Sequence, residues 1–295
     1  MKKNKVLLVG NGINNVSNRL AWRQLIKGLI EHIGATGQIE IRNKPFPLLY
    51  DEIFIEAIKF KKYKEEDVKK FIADKVSGLK KSIIHEEIIK LDFHDILTTN
   101  YDYNLEKERI QDITNLKNEG IVIEKTYNLF RHNKIGNTNI WHIHGECNLP
   151  SSITLGYDHY CGYLQYIRDY VVTGTGSSYR SIMFKPLKEK FIKGGIKFHS
   201  WVDFFFKKDI HILGFTFDFV EMHLWWILAY RARMRYEKGI SFGNKIRYYY
   251  PDQDLVKIQN KLDLLRSNDV IPFAINLNNG NWTQYYLDAL KEIRL

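Results

Sequence analysis

Lys5-Val6-Leu7-Leu8-Val9-Gly10-Asn11-Gly12-Ile13-Asn14-Asn15 is the stretch that decides the fold. Four consecutive apolar residues in a strand put apolar side chains on both faces of a sheet. A strand buried on both faces belongs to a parallel sheet with helices on either side. The two glycines that follow let the backbone come close to a phosphate, and a helix N-terminus just beyond favours negative charge. The same residues also suit an ordinary tight turn from strand to helix. The third glycine of the dinucleotide fingerprint is missing, and Glu31, at the distance expected for its acidic residue, falls on a helix.

Outward from this stretch, strand and helix signals alternate. Trp22, Leu25, Ile26, Leu29, Ile30 and Ile33 have helical spacing, with Gly34 as a stop. A mostly helical insertion is expected at about 45–92. Strand character returns at Asp95 to Thr99, near Ile121 to Lys125, and at Asn139 to Ile143. A second helical segment, at about 160–206, is broken by Gly174 to Gly176 and by Gly194-Gly195. Strands at Asp209 to Gly214, Lys245 to Tyr250 and Val270 to Leu277 alternate with helices at Phe217 to Arg235 and Asp252 to Arg266. This order predicts an α/β protein, a Rossmann-like parallel sheet with helices on both faces plus the helical insertion, in a single domain over 1–295. Ligands of such sheets bind beyond the carboxyl ends of the strands.

The composition narrows the classes. With 44% hydrophobic and 14% aromatic residues in 295, the chain folds around a substantial core. The longest apolar run, Leu224 to Tyr230, stops at Arg231, short of the roughly eighteen residues of a membrane span. Four apolar residues after the basic start are too few for a secretory segment, so a cytoplasmic protein is expected. The net charge of +10 admits nucleic acid or another anion as partner. The lysines between Lys59 and Lys70 are interspersed with Glu65, Glu66 and Asp67, however, as on a solvated helix face.

Three further strand ends carry candidate groups. Thr98-Thr99-Asn100-Tyr101-Asp102 offers an Asn and an Asp, either for a ligand or for a local turn that both residue types favour. In Trp141-His142-Ile143-His144-Gly145 the two histidines share one face of the strand. No third metal ligand follows at a recognisable spacing, so no metal is expected. His142 reads as structural, and His144 as the histidine facing the site. In Gly214-Phe215-Thr216-Phe217-Asp218, Gly214 permits close approach and Thr216 offers a hydroxyl, while Asp218 and Glu221 have the spacing of a helix capping box.

The order of these motifs resembles the sirtuin family. It is most similar to the sirtuin-like NAD-hydrolase domains of bacterial antiphage defence systems, over about Lys5 to Ala229. The resemblance implies that Asn100 and His144 are the catalytic pair and that Asp102 holds the nicotinamide amide. It further implies that Gly10, Asn11, Gly12, Asn14 and Thr99 line the phosphate and ribose side, and Gly214 and Thr216 the adenosine side. NAD is then the substrate, cleaved at its nicotinamide–ribose bond, with NAD depletion and abortive infection as the outcome. A partner such as an ATPase or sensor subunit, and a homo-oligomer, are also implied. Deacylating sirtuins carry Gly-Ala-Gly-Ile-Ser in the first loop, Gln before the catalytic Asn, and a four-cysteine zinc module. Here the loop is Gly-Asn-Gly-Ile-Asn, the residue before Asn100 is Thr99, and only Cys147 and Cys161 are present. A non-catalytic NAD or ADP-ribose sensor and a protein deacylase stand as the alternatives.

Overall fold

The computed structural model describes residues 4–16, 22–61, 63–109, 116–179, 182–193 and 197–294. Its strands are β1 (Lys5–Val9), β2 (Asp95–Thr98), β3 (Lys117–Glu119), β4 (His132–Ile135), β5 (Thr138–His142), β6 (Asp209–Leu213), β7 (Ile246–Pro251) and β8 (Val270–Ile275). They form one sheet in the order β3-β4-β5-β2-β1-β6-β7-β8. The six strands from β5 to β8 run parallel, and β3, β4 and β5 pair antiparallel at one edge. The fold is a Rossmann-like α/β sheet with helices on both faces.

The helices are α1 (Trp22–His32), α2 (Phe46–Lys61), α3 (Glu65–Ser77), α4 (Ile83–Lys90), α5 (Tyr157–Arg168), α6 (Leu187–Lys193), α7 (Phe204–Lys207), α8 (Met222–Lys238), α9 (Gln259–Ser267) and α10 (Trp282–Arg294). A single π-helical turn, Asp169–Thr173, continues α5. Gly194 and Gly195 lie outside the described residues. None of the described helices is long and apolar enough to cross a membrane.

Alternation along β1 sorts the helices. Val6 and Leu8 enter one core with Tyr163 and Ile167 of α5, Leu224 and Ile227 of α8, and Leu262 of α9. Leu7 and Val9 enter the other, with Ile84 and Ile88 of α4 and Tyr285, Ala289 and Ile293 of α10. A third core joins α1, α2 and α3 through Leu29, Ile53 and Ile72, and takes in Tyr101 and Tyr103 just after β2. The helical layer is thereby fastened to the carboxyl end of the sheet. Each fully buried Leu or Ile contributes about 1.5–3 kcal/mol of transfer free energy.

Two expectations are corrected. Residues 121–125 form no strand. Glu124 is buried there, its carboxylate accepting the amides of Leu129, Phe130 and Arg131 and the Tyr179 hydroxyl, while Ile123 is 91% exposed. A segment whose acidic side chain closes a turn has no ladder to join, and the edge strands are β3 and β4 on either side. The helix expected from Phe217 starts only at Met222. Phe217 has φ 50°, outside the helical region, and its ring is buried against Phe215 and Trp225.

The turns after β1 and β6 touch. The Gly10 amide donates to the Leu213 carbonyl at 3.0 Å, and the Gly12 amide to the Gly214 carbonyl at 2.8 Å. A Cβ on Gly10 would stand 2.6 Å from the Gly214 oxygen and 2.7 Å from the Phe215 Cα. Gly214 itself has φ 64°, which L side chains rarely adopt. These glycines make room first for protein backbone. Gly10→Ala should therefore lower global stability by roughly 1–3 kcal/mol, the usual cost of overpacking. Gly243→Ala is the control, because nothing lies within 4 Å of its Cβ position, and it should stay within about 0.5 kcal/mol of the parent. Urea unfolding of both variants reads the difference; equal midpoints would overturn the packing argument.

Candidate active site

Asn14, Asn100, Asp102 and His144 all leave the carboxyl ends of the central strands β1, β2 and β5, next to the two glycine turns. The chain turns to opposite sides of the sheet on either side of β1, and in sheets of this class the ligand crevice lies at such a reversal.

Asn100 is buried, at 6% exposure. Its Nδ2 donates to the Gly10 carbonyl at 3.4 Å and its backbone amide to the Thr98 hydroxyl at 3.1 Å. Its Oδ1 has no hydrogen-bond partner although it is out of contact with solvent. A buried amide oxygen without a donor costs about 1–3 kcal/mol, the kind of cost a ligand repays.

The Asn100 carbonyl accepts from Nδ1 of His142 at 2.7 Å, and Nε2 of His142 donates to Glu106 at 2.7 Å. Both ring nitrogens face acceptors, so the ring is held as an imidazolium. Burial opposes that charge, but the Glu106 carboxylate outweighs it and raises the His142 pKa to about 9. His142 thus holds the backbone of Asn100. Glu106, which the sequence did not single out, follows Asp102 by one turn, and its buried Oε1 accepts from both His142 and Asn133.

Asn14 is fixed from three sides. The Ser82 amide donates to Nδ1 of His85, so Nε2 of His85 carries the hydrogen that goes to Asn14 Oδ1 at 3.1 Å. Asn104 donates to the same oxygen at 3.4 Å. Asn14 Nδ2 donates to Asp102 Oδ2 at 2.7 Å and to the Asn11 side chain at 3.0 Å. Asp102 also closes a local turn by accepting the Asn104 amide, and burial raises its pKa. Both oxygens of Asp102 are thus engaged within the protein, where it orders Asn14.

Thr99 is half-buried and its amide extends the ladder to the Val9 carbonyl. Thr216 is exposed at the surface of its loop, with its carbonyl held by Lys261 Nζ at 2.8 Å. Gly145 has φ 94°, and a Cβ there would overlap the Ser152 backbone. The chain consequently turns sharply after His144.

His144 has neighbours that its own strand did not announce. Its Nε2 lies 3.1 Å from Nε2 of His223 and 3.2 Å from Oε2 of Glu221. All three residues are buried. Tyr160 meets both imidazoles edge-on or tilted, and Tyr163 stacks on His223. Burial and the facing His144 push the His223 pKa well down, so His223 stays neutral. The capping box expected for Asp218 and Glu221 does not form. Asp218 accepts the Val220 amide, and the Glu221 carboxylate makes no cap bond to α8 but lies beside His144. Two residues of metal-ligating type, Glu221 and His223, reach His144 from the start of α8, nearly eighty positions downstream, where spacing gives no signal.

Residues 94–193 match a family model described as a SIR2-like domain. SIR2-like domains use NAD as substrate, so the match gives this stretch an NAD-related function. It holds Asn100, Asp102, His142 and His144. The glycine turns, Glu221 and His223 lie outside it. No curated protein is significantly similar to the chain.

The His142–Glu106 pair predicts a pH dependence. A histidine with folded pKa raised above about 6.5 adds stability that is full below that pH and lost as pH rises through about 9. Urea unfolding between pH 6 and 10 should show this alkaline loss, on the order of 1–3 kcal/mol. A His142→Gln variant should be less stable at pH 6 and lack that component of the slope. Parallel curves for parent and variant would overturn the ion pair.

Proposed function

We propose that the chain is an NAD glycohydrolase, cleaving the nicotinamide–ribose bond to give nicotinamide and ADP-ribose. The observation that carries this reading is the buried, unpartnered Oδ1 of Asn100 beside the two glycine turns. The SIR2-like match over the stretch that holds Asn100 and His144 supports it.

In the proposed reaction the bond between ribose C1′ and the nicotinamide nitrogen breaks, and its electron pair neutralises the cationic ring. Positive charge develops on C1′. Asn100, its backbone held by His142 and its Nδ2 by Gly10, orients the ribose or the incoming water. Water bonds to C1′ and gives up a proton to His144 Nε2. Glu221, 3.2 Å from that nitrogen, stabilises the imidazolium that results. The turn after β1, with Asn11 exposed, lies on the pyrophosphate side. The resemblance to antiphage NAD hydrolases supports NAD depletion in defence as the physiological outcome, released by a partner such as an ATPase or sensor subunit.

Incubation with NAD and chromatography of the products tests this. The parent should release nicotinamide and ADP-ribose in equal amounts. His144→Ala should lower the rate by about 10²–10⁴, the usual contribution of a general base, and Asn100→Ala should abolish turnover, both with the parental circular dichroism spectrum. Folded variants that match the parent would overturn the assignment. Products dependent on an acyl-lysine peptide would favour a deacylase.

A further inference from the structure

We propose that His144, Glu221 and His223 form a binding site for a divalent transition-metal ion of the zinc type. The site stands on geometry and shares His144 with the proposed NAD reaction. Among the described residues these three bring one ligand atom each within 4.8 Å of one another. Two ligand atoms on one ion, each at about 2.0–2.2 Å, are separated by roughly 3.0–3.4 Å depending on whether the geometry is octahedral or tetrahedral. The Nε2–Nε2 separation is 3.1 Å and the separation of His144 Nε2 from Glu221 Oε2 is 3.2 Å, while Glu221 Oε2 stands 3.9 Å from the His223 ring at Nδ1, wider than that range. Two imidazoles and a carboxylate are a donor set that suits such ions and leaves a coordination position open.

A hydrogen bond between the two imidazoles accounts for the first distance only. One hydrogen on His144 Nε2 cannot serve both neighbours, and Glu221 Oε2 is left buried without a hydrogen-bond partner. An ion between the three atoms satisfies the carboxylate and both Nε2 lone pairs together. Tyr160 and Tyr163, packed on the two rings, fix the ring planes before any ion arrives. A bound ion takes the lone pair of His144 Nε2, so metal occupancy and proton acceptance at that atom exclude one another.

The test needs no turnover. The purified chain, stripped with a chelator and dialysed against micromolar Zn²⁺, should retain about one equivalent by elemental analysis. His223→Gln and Glu221→Gln should each bind at least about tenfold more weakly. Zn²⁺ should raise the melting temperature of the parent, because an ion held by the native site alone stabilises it. Co²⁺ in place of Zn²⁺ should give visible d–d absorption that the variants lack. Substoichiometric retention by the parent, no rise in its melting temperature, or unchanged binding in folded variants would each overturn the site.

Discussion

The structure depends on the contact between two turns that have no side chains to separate them. Gly10 and Gly12 after β1 donate their amides into the end of β6, and the backbones lie so close that a Cβ on either glycine would overlap a carbonyl oxygen. This contact fixes where β1 and β6 end relative to each other. It also fixes Asn14, which follows within one turn, and Asn100, whose amide reaches the Gly10 carbonyl. A sheet edge elsewhere tolerates adjustment; these turns do not, because backbone cannot change rotamer.

Around that contact the polar groups fall into two chains. One runs Ser82, His85, Asn14, Asp102 and brings the start of α4 to the end of β1. The other runs Glu106, His142 and the Asn100 carbonyl and ties β5 to the end of β2. In both, a histidine is the middle link and its protonation is set by its partners: neutral in His85, whose pKa burial lowers to about 4, and cationic in His142. Hydrogen-bonded networks of this kind rigidify what they hold. The Asn100 Oδ1 lies between them, in neither chain and without a partner.

The sheet was legible because Val6 to Val9 are apolar without interruption and Ile210, Ile212 and Leu213 carry the strand signal of β6, and the strand ends could be located from the glycines and histidines that follow. Asn100 and His144 were visible for that reason. Glu221 and His223 were not, because they meet His144 only through the packing of α5 against α8, and Asp218 with Glu221 has the same spacing that caps helices. Glu106 was hidden by its setting: a Glu among Lys107 and Glu108 reads as surface, and only the His142 ring shows that its side chain turns inward. The hydrophobic signal at Ile121 and Ile123 was real but irrelevant, since a buried Glu124 decided the backbone there. Helix α10 follows its own spacing of Tyr285, Ala289 and Ile293, yet its role, covering β1 on the second face, depends on contacts far along the chain.

The order in which synthesis delivers these parts has its own consequence. A nascent chain that has just emitted residue 200 from the ribosome already contains Asn100 and His144. It still lacks β6, so one edge of β1 has no neighbour, and Gly10 and Gly12 have nothing to dock on. Glu221 and His223 have not yet been made. The central strand of the sheet is completed on its second side only once β6 has emerged, so the newborn chain remains without a finished pocket until residues 209–223 follow.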